Sequence, residues 1–283
     1  MRSARFQAIL ATILFSTGGA AIKVAAFSGM QVSSLRAGIA AVALTLFARG
    51  HVRLTWPVVA IGAVYATSLT LFVNATKLTT AANAIFLQST APLYIVILGP
   101  FLLSEKLRRR DVVYLLGVAA GLALCFVAQP PATATAPDPA TGNLLAVLCS
   151  VTWAATLMGL RWAERRMPGA GLSAVVAGNL IAFVVGLPFA LPLPSATTGE
   201  WATLLYLGVV QIGVAYVFLT RAIRTLPALE VSLLLLLEPV LNPIWTWMVR
   251  GENPGPWVMA GGACIVAATA LKAVYDSRVG ASV

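Results

Sequence analysis

Charge is scarce in this chain. Of 283 residues only 10% are charged, nine of them acidic, and there is a single histidine, His51. Soluble domains carry about 25% charged residues. That shortage, beside a hydrophobic share of 59%, excludes a soluble core of this length and implies an integral membrane protein. Cysteine is sparse too. Cys125, Cys149 and Cys264 all fall inside apolar runs, without a CxxC pair, a metal-ligand spacing or a disulfide framework. No GxxxxGK[ST] motif is present, which argues against ATP-driven transport by this chain alone. Catalysis in the membrane would want clustered His, Asp or Ser partners. His51 lies in a loop, and seven of the nine acids sit at the ends of apolar runs or between them. A membrane-embedded enzyme is therefore the weaker reading, and no cofactor or metal is expected.

What the chain has is apolar length. Runs separated by Gly, Pro or charge cover approximately 6–26, 32–48, 56–76, 82–103, 112–128, 143–163, 172–192, 201–220, 227–249 and 256–275. Each approaches the roughly 20 residues that cross a bilayer as a helix. The expectation is an all-α integral membrane protein with ten transmembrane helices. A segment rich in Pro, Ala and Thr, 129–141, reads as a linker between a first five-helix half, 1–128, and a second, 142–283. The first run follows Arg2 and Arg5, as a signal peptide would, but it has a counterpart in the second half and is read as a helix of the mature protein.

The halves echo each other. A shift of 147 positions lays Pro92 on Pro239, Glu105 on Glu252, and Ala75 and Lys77 on Ala222 and Arg224. A shift of 138 lays Phe15 and Lys23 on Trp153 and Arg161, and one of 140 lays Ser33 and Gly38 on Ser173 and Gly178. Internal repeats of this kind organise a fold. An odd number of helices per half makes the repeats cross the membrane in opposite senses, as in secondary transporters built around a midplane site.

With the N-terminus inside, fifteen Lys and Arg fall in cytoplasmic segments, against Lys23, Lys77 and Arg250 on the other side and Arg36 within the second helix. This positive-inside bias places both termini in the cytoplasm. It also accounts for the net charge of +10, so no nucleic-acid partner is expected. The cytoplasmic (inner) membrane is the expected location.

The repeated Pro–x12–Glu signature (Pro92/Glu105 and Pro239/Glu252), the ten runs and the two halves together resemble the drug/metabolite transporter superfamily, EamA-type. Within it the chain most resembles the YddG-like exporters of aromatic amino acids. The resemblance covers almost the whole chain and implies a basket-like bundle. Its central cavity would be formed by helices one to four and six to nine, with five and ten peripheral. It further implies export of small amphipathic metabolites by alternating access. Other amino acids, drugs or metabolites remain alternative substrates.

Several residues are candidates for that cavity. Glu238 sits mid-span, and an intramembrane charge should face a cavity or a partner. It either handles substrate or protons, or is a carboxylate satisfied structurally beside Pro239. Glu230, Glu238 and Asn242 share one helix face, Glu230 being the gate or salt-bridge candidate. In the third helix, Thr67, Thr70, Asn74 and Lys77 form a polar stripe, either lining the cavity or bonding between helices. Asn83, Gln88 and Tyr94 in the fourth run, and Gln211 and Tyr216 in the eighth, offer polar and aromatic recognition. Phe15, Tyr65 and Trp153 are interior aromatics, Trp153 the first choice for stacking on a substrate ring or else an ordinary core residue. Trp56, Trp201 and Trp257, near span starts, read as interfacial anchors. Pro92 and Pro239 are candidate hinges. Gly18–Gly19, Gly117 with Gly121, and Gly261–Gly262 permit close helix approach. Packing within one chain is the preferred use, so a monomer is expected rather than a dimer. The remaining partners are a small-molecule substrate and the lipid bilayer.

Overall fold

The structure is a computed structural model that describes residues 2–91, 93–95, 97, 109–127, 132–226, 234–235 and 237–280. Apolar runs with helix-stop residues between them give an all-helical chain. The named helices are α1 (Arg2–Ser16), α2 (Gly18–Val24), α3 (Gly29–Phe47), α4 (Trp56–Leu78), α5 (Ala81–Gln88) and α6 (Arg109–Val127). They continue with α7 (Pro139–Arg166), α8 (Ala170–Ala190), α9 (Thr198–Leu205), a π-helical segment (Tyr206–Val214), α10 (Ala215–Thr225), α11 (Leu237–Arg250) and α12 (Pro256–Gly280). Six stretches among the described residues are long and apolar enough to cross a membrane: Ala4–Val24, Gly29–Phe47, Trp56–Leu78, Pro139–Arg166, Ala170–Ala190 and Thr198–Arg224.

Local chemistry sets the starts. Ser28 and Gln31 form a capping box on α3, and Thr197 and Glu200 do the same on α9. Asp138 accepts from the Thr141 N–H at the start of α7, with Pro139 following. That start falls inside the expected 129–141 linker, so its last residues belong to the helix. The first apolar run is also not one uninterrupted helix. At Thr17 the Ser16 and Thr17 hydroxyls bond back to the Ile13 and Leu14 carbonyls, and α2 starts afresh at Gly18.

Two of the larger helix pairs, α3 with α8 and α4 with α7, pack antiparallel. Gln31 at the start of α3 donates to the Ala190 carbonyl at the end of α8, and Thr79 after α4 donates to Asn143 early in α7. Taking α1–α2, α3, α4, α5 and α6 as one set and α7, α8, α9–α10, α11 and α12 as another, exchanging the sets carries packing pairs onto packing pairs. α4 packs on α7 and α8, while α10 packs on α1 and the π-helical segment on α3. α3 with α8, α5 with α11 and α6 with α12 complete the pattern.

Glycine allows the closest crossings. A Cβ on Gly62 would lie 2.8 Å from the Gly178 nitrogen, and one on Gly121 would lie 2.8 Å from the Gly261 carbonyl. Gly117 and Gly121 thus serve packing of α6 on α12 within the chain. Outward faces are apolar: Leu46, Val42, Leu116, Val113, Phe189, Val185 and Leu271 are all exposed, as a lipid-facing surface requires. Trp56 and Trp257 are exposed at the starts of α4 and α12, whereas Trp201 also packs edge-on against Phe27.

Candidate functional site: an aromatic cavity and two polar ends

The middle of the bundle holds a cavity of about 60 Å³ lined by Phe15, Arg36, Tyr65, Ser68, Leu69, Phe72, Gln88, Trp153, Gln211, Ile212, Tyr216 and Glu238. Seven candidates from the sequence therefore meet in one place: Phe15, Tyr65, Gln88, Trp153, Gln211, Tyr216 and Glu238. Tyr216 is central to the wall, edge-on to Phe15 at 5.1 Å and to Tyr65 at 5.3 Å between ring centroids. The Tyr65 hydroxyl accepts from Asn179 Nδ2 at 3.4 Å, which fixes the ring against α8. Gln211 reaches the cavity from the π-helical segment, whose wider turn re-aims side chains and is frequent at functional sites.

The other candidates lie elsewhere. Asn74 bonds its own helix at Thr70 and contacts Met30 Sδ, and Thr67 is exposed and bonded to the Ala63 carbonyl. The cavity face of α4 is instead Tyr65, Ser68, Leu69 and Phe72, the spacing of a helix stripe. The expected polar stripe is thus satisfied within α4 at Thr67 and Asn74, by Ser33 at Thr70 and by the Ala25 carbonyl at Lys77. Asn242 is buried one turn beyond Glu238 and packs against Gly19 rather than lining the cavity. Tyr94 is half-buried and does not line it. Glu230, Pro92 and Glu105 lie outside the described residues. Pro239 is buried in α11, where Pro243 is a second interior proline that the sequence reading passed over.

Asn83 belongs to a different structure, a polar knot at one end of the bundle. Its Nδ2 donates to Asn143 Oδ1, which also accepts from the Thr79 hydroxyl at 2.8 Å. Beside it, Lys23 Nζ and Glu252 Oε2 form an ion pair at 3.2 Å, each side chain 3% exposed. Lys23 also donates to the Thr79 carbonyl at 2.7 Å and to the Thr135 carbonyl, and Glu252 Oε1 accepts from the Ala81 N–H at 2.6 Å. Lys77 donates to the Ala25 carbonyl. Parts of α2, α5, α7, the 132–138 segment and the chain after α11 are drawn together there. Sequence reasoning found Lys23 and Glu252 only as repeat positions; their partnership over 229 residues left no local signal.

The opposite end is looser. Arg224 and Glu164 pair at 3.3 Å with the arginine half-exposed. Glu164 also accepts from the Gly169 and Gly171 N–H groups. A recess of about 440 Å³ opens there, lined by Arg161, Glu164, Arg165, Pro168, Ile223, Arg224 and Leu226.

Apolar outer faces, a polar and aromatic cavity within the bundle, and ends of different tightness define a multi-pass helical membrane protein built around an internal site. The chain belongs to the EamA-like transporter family, which matches residues 2–127 and 140–273. It is 26% identical over 187 residues to the pseudopaline exporter CntI of Pseudomonas aeruginosa strain UCBPP-PA14 and 28% over 192 residues to that of strain PAO1. Each match covers 66% of this chain, which spans 64% of the length of these curated relatives. A solved crystal structure shares the architecture, with a TM-score of 0.68 at 24% identity over 99% of both chains.

Proposed function

We propose that this protein is a secondary transporter that exports small amphipathic metabolites across the cytoplasmic membrane by alternating access, with aromatic amino acids as favoured substrates. The observation that carries the reading is the cavity, where five aromatic side chains, two glutamines and one carboxylate surround a site inside the bundle. At about 60 Å³ it is contracted beside the roughly 300–1,000 Å³ of small-molecule pockets. Substrate would enter by moving the helices apart.

In this reading ten helices form two inverted repeats. Support comes from the exchange symmetry of the packing pairs and from the two segments that match the family. The end closed by Lys23 and Glu252 is the outer one, by the positive-inside bias. Its opening breaks that ion pair, with Pro239 and Pro92 as bending points. Glu238 binds a cationic group or exchanges a proton. A second reading, export of a pseudopaline-like metabolite, is favoured by the pseudopaline exporters among the relatives.

The test is uptake of labelled tryptophan, phenylalanine and threonine into proteoliposomes preloaded with the same unlabelled compound. Saturable, counterflow-stimulated uptake of the aromatic pair over threonine is expected. Trp153→Ala should weaken apparent tryptophan affinity roughly three- to tenfold, the loss of one aromatic contact. No uptake above protein-free liposomes would remove the aromatic assignment.

A further inference from the structure

Arg36 stands apart from the other cations. It lies midway along α3, 3% exposed, and lines the central cavity with Tyr65 and Tyr216. Its Nε has no hydrogen-bond partner, and among the described residues no carboxylate lies within ion-pair distance of it. A guanidinium stays protonated in proteins, and burying an unmatched charge in a membrane interior is strongly unfavourable, so such groups mark substrate or ion paths. The described carboxylate in the cavity lining is Glu238, on α11, and no ion pair joins it to Arg36. One cavity therefore presents a cation and an anion on different helices, with aromatic rings in its walls.

We infer that Arg36 is the anion-binding group of the transport site, and that the substrates are zwitterions whose carboxylate meets Arg36 while their ammonium group meets Glu238. The inference rests on the transport reading above and narrows it. A simple cation would leave the guanidinium unmatched, a neutral drug would leave both charges unmatched, and a zwitterion neutralises both in a single step. The flat fork of Arg36 fits a carboxylate through two parallel N–H···O bonds, a match that lysine does not reproduce. The correspondence that lays Ser33 on Ser173, a shift of 140, puts Arg36 on the uncharged Val176, so this cation answers to the site rather than to the repeat.

The experiment measures binding of three probes to the purified full chain in detergent by thermal stabilisation. Tryptophan carries both charges, tryptamine lacks the carboxylate, and indole-3-propionate lacks the ammonium. Wild-type protein should prefer tryptophan to both. Arg36→Gln should weaken tryptophan roughly 30-fold or more, as truncating one partner of a buried charge pair does, and leave tryptamine little changed. Glu238→Gln should erase the preference over indole-3-propionate instead. A purely structural role for Arg36 would weaken all three probes alike and overturn the inference. So would wild-type protein that binds tryptamine as tightly as tryptophan, or that binds none of the three. If Arg36→Gln does not fold, Arg36→Lys carries the test and must weaken tryptophan more than tryptamine. Failure of the transport reading would look different, as absence of counterflow for every labelled compound, including any that binds.

Discussion

Lys23 and Glu252 are each nearly inaccessible, and each has further bonds to backbone groups that hold it in place. Removing one partner of such a pair leaves a buried, uncompensated charge and costs about 3–5 kcal/mol. Lys23→Ala or Glu252→Ala should therefore lower the melting temperature sharply, and the double replacement by Met and Leu should recover much of it. Thermal unfolding in detergent checks this; equal stability of the single variants and wild type would contradict it. A gentler case is Asp138, whose carboxylate is held below its ordinary range by the hydrogen bonds from Thr141. A lowered folded value means that the cap stabilises α7 above the unfolded carboxylate range and that this is lost as pH falls through the folded one. Asp138→Ala should thus speed amide exchange in the first turn of α7 at neutral pH, and the difference from wild type should vanish once pH has fallen through the lowered folded value. Glu238 and the deep aromatics were legible because a charge or ring in the middle of an apolar run is visible without a partner. Asn83 was misplaced because its role is set by Asn143, 60 residues away, and Arg36 was noted only as a residue inside a helix.

Helix existence was easy to read, whereas helix faces were not. In α4 the hydroxyl and amide stripe drew attention, yet Thr67 and Asn74 bond carbonyls of their own helix, and an apolar and tyrosine stripe faces the cavity. Period alone says which residues share a face and leaves open which way that face turns. The π-helical turn around Gln211 carries no sequence mark of its own. The glycine spacing in α6 did read through. A Cβ on Gly121 would meet Ile265 and the Gly261 carbonyl, so Gly121→Leu should destabilise by about 1–3 kcal/mol through overpacking, measured by thermal unfolding. Pro239 tests movement rather than stability. Pro239→Ala restores a backbone N–H and stiffens α11, so counterflow should slow while expression and membrane insertion are unchanged; normal transport by that variant would end the hinge role.

Across the molecule, exchanging the two sets of helices carries packing pairs onto packing pairs, the pattern expected of the repeat shifts in the sequence. Those shifts leave the state of each end undetermined, since only a three-dimensional arrangement makes one tight and the other open. The Lys23 end is knotted by buried bonds, and the Arg224 end holds a recess of about 440 Å³. The central claim is that the cavity is reached from these ends in turn. The direct measurement is accessibility of one cysteine, Ser68→Cys, in protein with Cys125, Cys149 and Cys264 replaced, to a membrane-impermeant maleimide added to one side of proteoliposomes at a time. The account predicts labelling from the Arg224 side, slow labelling from the Lys23 side that Glu252→Ala accelerates, and opposite responses of the two rates when substrate shifts the population. Equal, simultaneous access from both sides would indicate an open channel and contradict the account.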